Sequence, residues 1–163
     1  MWGVVQRGDM QYEILNVHEY TGGLEKAVRY IYSKWGNSRN YYFYWDAISH
    51  SAVESINKLP KFFLMLKENQ IVGCYGLLAN DLVSRQDLLP WFACLFIEET
   101  ERGKRLSSEL FVHAKAEASK MGYEKIFLTT DHDGFYEKFG WKRIEDGYNI
   151  LGEVGRIYEI RIV

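Results

Sequence analysis

A mixed α/β fold in one domain is predicted by three features of the sequence. Lys104 to Met121 carries Leu106, Leu110, Ala114, Ala118 and Met121 at spacings of three and four, which marks a helix with one buried stripe. Gly122 stands where a left-handed residue would end that helix. Lys61 to Lys67 and Ile71 to Ala79 are apolar, aromatic-rich runs joined by the short polar segment Glu68-Asn69-Gln70, the pattern of an antiparallel hairpin. Trp91 to Ile97 is almost wholly apolar, as expected of a central strand covered on both faces.

The remaining elements fall around these three. Gln11 to Val17 is expected as the first strand, Gly22-Gly23 as a turn, and Leu24 to Trp35 as a helix with apolar residues at helical spacing. A second helix is expected over Ala47 to Leu59, and Asn80 to Asp87 reads as a polar loop. Tyr123 to Thr130 is a further strand, Phe135 to Phe139 a short helical turn, and Trp141 onward two terminal strands. No repeat, low-complexity tract or linker interrupts the order, and Pro60 and Pro90 each precede a strand-like run, so residues 1–163 are expected to form one domain.

Composition narrows the function classes. A chain with 47% hydrophobic and 26% charged residues is globular rather than disordered, collagenous or coiled-coil. A net charge of -2 supplies no overall basic field for a phosphate backbone, so nucleic acid is not an expected partner. The longest apolar run, Leu88 to Ile97, is broken by Pro90 and is too short to cross a bilayer as a helix. The N-terminal M-W-G-V-V-Q-R-G-D does not read as a secretory signal, and the cytoplasm is the expected compartment. Cys74 and Cys94 lie in apolar runs without metal-ligand spacing and are expected as buried thiols, with no metal site.

The junction from Leu95 to Ser107 places a buried strand, a short polar turn and a helix start in succession. A helix start offers unpaired N–H groups and the positive end of the helix dipole, and Arg102, Lys104 and Arg105 add cations in the same turn. That combination suits a diphosphate, although basic residues opening a helix also form a solvated face. The P-loop pattern G-x-x-x-x-G-K-[ST] is absent.

The segment R-G-K-R-L-S-S-E-L resembles the acyl-CoA pyrophosphate loop of the GNAT acetyltransferase superfamily, R/Q-x-x-G-x-G/A, with Arg102 at its first position. Downstream, I-F-L-T-T followed by G-F-Y-E-K-F-G-W resembles the strand and the Y-x-K-x-G-F segment of the same coenzyme site. The loop departs from the family where Arg105 stands at the first motif glycine and Ser107 at the second small position. The resemblance implies a mixed, mostly antiparallel sheet with helices on both faces, and acetyl-CoA as co-substrate. It assigns coenzyme contacts to Leu95, Phe96 and Ile97 through strand-like pairing with the pantetheine arm, and to Arg102, Gly103, Lys104, Arg105, Leu106, Ser107 and Ser108 around the diphosphate. Thr130, Asp131, Phe135 and Lys138 belong to the second matching segment.

The implied reaction is attack by a neutral amine on the thioester. An alkyl ammonium with a pKa of about 10.4 must first lose its proton, and a departing thiolate with a thiol pKa near ~8.5 gains from a donor. By the resemblance, Tyr136 lies beside the sulfur and serves as general acid. The base is sought among Asp81, Asp87, Glu98, Asp131 and His132, with Asp87 ranked first. His132 also reads as a polar turn residue, His113 as a packing residue on its helix, and His18 and His50 carry no pattern.

The aromatic run Tyr41 to Trp45, followed by Asp46, falls in the region that resembles the family's variable acceptor wall. Trp45, Asp46 and Asp81 are the expected substrate contacts for a small polar or cationic amine. The same rings also suit core closure or a dimer contact, so monomer and homodimer both stay open. The rival to an active N-acetyltransferase is a CoA-binding regulatory or interaction module without turnover, suggested by Arg105 at a glycine position and by the absence of an obvious base.

Overall fold

The computed structural model describes residues 3–52 and 55–163. Glu68 and Asn69, both left-handed at φ 50 and 65, reverse the chain between β3 (Lys61–Lys67) and β4 (Gln70–Leu78). Two consecutive left-handed residues match the twist of the flanking strands, which is why so short a turn closes this hairpin. The expected hairpin is therefore present, with Gln70 already in the second strand. A strand not anticipated from the sequence, β1 (Gly3–Arg7), pairs antiparallel with β2 (Met10–Asn16), from Gly3 opposite Ile14 to Arg7 opposite Met10. Its five residues are too few, and too mixed beyond Val4 and Val5, to signal a strand by themselves; pairing to β2 holds it.

The sheet continues through β5 (Trp91–Ile97), β6 (Lys125–Thr130), β7 (Lys142–Tyr148) and β8 (Val154–Arg161), in the strand order β1-β2-β3-β4-β5-β6-β8-β7. β5 and β6 run parallel, registered at Trp91 and Phe127, and the chain crosses between them through α3 (Leu106–Lys120). Antiparallel pairing joins β1 to β2, β2 to β3, β6 to β8 and β7 to β8. The fold is thus the mixed α/β class expected, and Gly122 at φ 90 follows α3 as the sequence indicated.

The chain divides into two compact units, one of residues 1–76 and 94–113, the other of residues 77–93 and 114–163. In the first, β3 buries residues 62–66 and β4 residues 72–76, and α1 (Leu24–Trp35) turns Ala27, Val28 and Ile31 inward. The second expected helix is shifted: α2 covers Tyr41–Ser49 and is followed by a 3-10 turn, His50–Ala52, whereas Ala47 to Leu59 was expected, of which positions 53 and 54 lie outside the described residues. The aromatic run is helix rather than loop. Tyr41, Tyr44, Trp45 and Ile48 recur at helical spacing on the covered side, and Tyr32 of α1 meets Tyr41 and Tyr44 edge-on at 5.1 and 6.1 Å. The unbroken aromatic composition hides that period.

The second unit is centred on Val83, Trp91, Phe127 and Ile157, with Leu78 and Leu88 against them. Its loop 79–90 is fixed rather than free. Val83 forms a β-bridge with Asn149, Ser84 N–H donates to the Tyr148 carbonyl at 2.8 Å, and the Asn80 side chain bonds both ways with Val83.

Candidate active site

In the first unit, β5 leaves its regular pleat at Cys94, whose φ is 56. A left-handed residue within a strand redirects the following peptides, here those of Leu95, Phe96 and Ile97. Leu95 and Phe96 are part-buried and Ile97 is buried. Cys74 on β4 is buried and donates through Sγ to the Cys94 carbonyl at 3.3 Å; burial pushes its thiol pKa up, which keeps it protonated. The buried thiol expected at Cys74 is present, and Cys94 is part-buried.

A 3-10 turn, Glu99–Glu101, carries the chain from β5 to Arg102. Arg102 is exposed, donates from Nε to the Ile97 carbonyl at 3.0 Å, and sets its guanidinium 5.5 Å from the Phe96 ring centre. Gly103 at φ 80 and Arg105 at φ 59 are both left-handed, so the chain reverses on either side of Lys104 before α3 starts at Leu106. The position of the family's glycine thus keeps a glycine-like backbone while bearing an arginine side chain, at a cost of about 1–2 kcal/mol. Leu106 is buried, while Ser107 and Ser108 lie part-buried in the first turn of α3. The N–H groups of such a turn have no intrahelical acceptor.

Lys104 is half-exposed, and its ammonium group is tied to a neighbouring carboxylate. Its Nζ lies 2.8 Å from Oε2 of Glu101, a carboxylate only 5% exposed. Burial alone would raise the Glu101 pKa, but donors from Lys104, Lys67 and Tyr12 outweigh it and hold the carboxyl at about 2. Glu101 is shared by Lys67 and Lys104, and the guanidinium groups of the exposed Arg102 and Arg105, with the α3 N-terminus, fit a diphosphate. Glu98 is likewise committed. Lys34 Nζ at 2.8 Å and the Tyr30 hydroxyl at 2.8 Å both engage its Oε1, and chiefly the lysine holds its pKa below the usual range. A carboxylate so held is a weak base. Lys34 also lies 4.7 Å from the Phe96 ring centre.

On α2, Trp45 is part-buried and Asp46 exposed, with its carboxylate 3.4 Å from His50 Nδ1 and its carbonyl accepting from the same nitrogen at 2.7 Å.

In the second unit, Tyr136 opens a 3-10 turn, Tyr136–Phe139, that ends at left-handed Gly140. The ring is 9% exposed, edge-on to Phe135 at 5.0 Å and to Trp141 at 6.1 Å. Burial raises its pKa, and a hydrogen bond with the Thr130 side chain opposes part of that rise. Two residues of the downstream segment, Thr130 and Tyr136, are therefore in contact. Asp131 is exposed, its carbonyl accepting from Arg156 Nη1 at 2.6 Å, and Phe135 and Lys138 are exposed. The exposed His132 donates its backbone N–H to Thr130 Oγ1 at 3.1 Å.

The two carboxylates of the loop 79–90 differ sharply. Asp87 is exposed and gripped by Arg85, Nε to Oδ1 at 2.9 Å and Nη2 to Oδ2 at 2.7 Å, which lowers its pKa. Arg85 also pairs with Glu145. Asp81 is part-buried, and that burial pushes its pKa up to about 7. Sequence alone does not separate them, because the Arg85 pairing and the burial of Asp81 both depend on how the loop is folded. Glu101 was missed for the same reason: nothing marks it among Glu98, Glu99 and Glu101 until the turn is built. No group of His, Cys, Asp and Glu among the described residues is arranged to hold a metal, and no described helix is long and apolar enough to cross a membrane.

A family profile described as an acetyltransferase (GNAT) domain matches residues 59–143, more than half of the chain. No curated protein matches the sequence. Among solved structures, an aminoglycoside 6'-N-acetyltransferase complexed with coenzyme A aligns with a TM-score of 0.67 at 13% identity, over 92% of this chain and 97% of its own. A GNAT family acetyltransferase from Elizabethkingia anophelis with acetyl-CoA bound aligns at 0.64 and 12%, over 92% and 97%. The aminoglycoside 6'-N-acetyltransferase from Enterococcus faecium aligns at 0.64 and 16%, over 92% and 97%. At these identities the likeness is one of fold.

Proposed function

Because the chain belongs to the GNAT acetyltransferase family, we propose that it moves the acetyl group of acetyl-CoA onto the primary amine of a small polar or cationic acceptor, by direct attack on the thioester. Membership makes the chain an acetyl-CoA-dependent acetyltransferase; the acceptor and the residue roles are the proposal. Residues 1–163 are read as one acyltransferase domain, acting in the cytoplasm as a monomer or homodimer.

The observation that carries the chemical reading is the contrast between Asp81 and Asp87. A base works best with a pKa near the working pH. Asp81, at about 7, meets that requirement; Asp87, paired with Arg85, does not. We therefore assign proton removal from the acceptor to Asp81, directly or through a water. Tyr136 keeps its proton because burial raises its pKa, so it acts by hydrogen-bond donation to the developing thiolate. Full proton transfer from such a phenol to a thiolate with a conjugate-acid pKa near ~8.5 would be uphill. The turn from Arg102 to Ser108 holds the diphosphate, and Leu95 to Ile97 the pantetheine arm. Thr130, Asp131, Phe135 and Lys138 are proposed as further coenzyme contacts, and Trp45 and Asp46 as acceptor contacts.

Thiol release from acetyl-CoA, followed across polyamines, aminoglycosides, amino acids and peptide N-termini, tests this reading. Saturable turnover on one amine class is expected. Saturable coenzyme binding with no turnover on any of these amines would overturn the proposed acceptor class.

A further inference from the structure

A buried carboxylate needs donors, and a buried ion pair adds little net stability over a hydrophobic group of the same volume. Glu101 is 5% exposed and is the last residue before Arg102. Its Oε2 accepts from the Tyr12 hydroxyl at 2.7 Å and from Lys104 Nζ at 2.8 Å, and its Oε1 from Lys67 Nζ at 2.8 Å. The donors come from β2, from β3 and from the turn itself. Lys104 stands between the two left-handed residues Gly103 and Arg105, so its tether pins the turn at its middle. A non-glycine residue in the left-handed region persists only where its surroundings over-determine it, and the tether supplies that constraint.

We propose that Glu101 is a positioning residue for the coenzyme diphosphate: it tethers Lys104, ties the turn to β2 and β3, and so fixes the backbone N–H groups of residues 103–108. The inference rests on the coenzyme reading above. Because the Lys104 ammonium is paired with Glu101, recognition of the diphosphate depends on backbone geometry and on Arg102 and Arg105. The carboxylate, held at about 2, stays ionised throughout the working pH range, so the tether does not switch off.

Calorimetric titration with CoA and with S-acetylpantetheine, which lacks the diphosphate, tests the role on the wild-type chain, Glu101→Gln and Lys104→Met. For Glu101→Gln the Kd for CoA should rise at least tenfold while that for S-acetylpantetheine, or its kcat/KM where binding is weak, stays within twofold. Equal weakening toward both ligands, or a CoA Kd within twofold of wild type, would overturn the role while leaving the coenzyme reading intact. Should Glu101→Gln not fold, Lys104→Met decides. Its Kd for CoA should rise with an unchanged salt dependence, whereas an unchanged Kd or a shallower salt dependence, the mark of direct ion contact, would sink the proposal. If the wild-type chain does not bind CoA, both readings fall.

Discussion

Arg85 holds Asp87 at two points, 2.9 and 2.7 Å, while Asp81 in the same loop is part-buried and its pKa is pushed up to about 7. The pairing sets apart two carboxylates that look alike in sequence, because an ion pair lowers a carboxyl pKa and burial raises it.

Asp81→Asn should lower kcat by about 10²–10⁴-fold, whereas Asp87→Asn should leave it within about threefold of wild type. In the wild type, kcat/KM should climb with pH through about 7, as Asp81 loses its proton. That limb should be missing in Asp81→Asn, and its persistence there would assign the base elsewhere.

The same shift makes a stability prediction of definite sign. The folded pKa of Asp81 lies above its unfolded value, so the folded state binds its proton more tightly. Its contribution is favourable at low pH and is lost as pH rises from about 4 to about 7. Asp81→Asn should therefore stabilise the protein at pH 8, by ~1–3 kcal/mol, with little effect at pH 4. Urea unfolding at the two pH values measures the difference.

Tyr136→Phe keeps the ring packing against Phe135 and Trp141 and removes only the hydroxyl. The kcat should fall by at least about tenfold with KM for acetyl-CoA little changed. Full activity in this variant would remove Tyr136 from the reaction.

Arg105→Gly relieves a left-handed arginine at φ 59. The gain should be about 1 kcal/mol, read as a rise in Tm of roughly 2–4 °C for a chain of this size. If the guanidinium contacts phosphate, the Kd for CoA rises in the same variant and its salt dependence becomes shallower.

Gly147→Ala tests the anchoring of the loop that carries Asp81. A Cβ there would lie 2.7 Å from Ile157 Cδ1 and 2.9 Å from Val83 Cγ2, both in the centre of the second unit. The variant should lose about 1–3 kcal/mol, and amide exchange should speed up at Val83 and Ser84, where the loop is stitched to Tyr148 and Asn149.

The sequence alone determined the elements whose signal is local. The stripe of α3, the β3–β4 hairpin, the apolar β5 and Gly122 each follow from periodicity or turn chemistry, which neighbouring residues specify among themselves. The motif pair around Arg102 and Tyr136 belongs with them, because its information is spacing along the chain. Strand β1 and helix α2 were decided by tertiary structure: β1 by its pairing with β2, and α2 by the packing of Tyr41 and Tyr44 on Tyr32, which sets a period that the aromatic run conceals. The electrostatics were decided there too. Whether a carboxylate is a base, a tether or a surface charge depends on burial and on which cation stands beside it, and Asp81, Asp87 and Glu101 acquire those neighbours only when the chain folds.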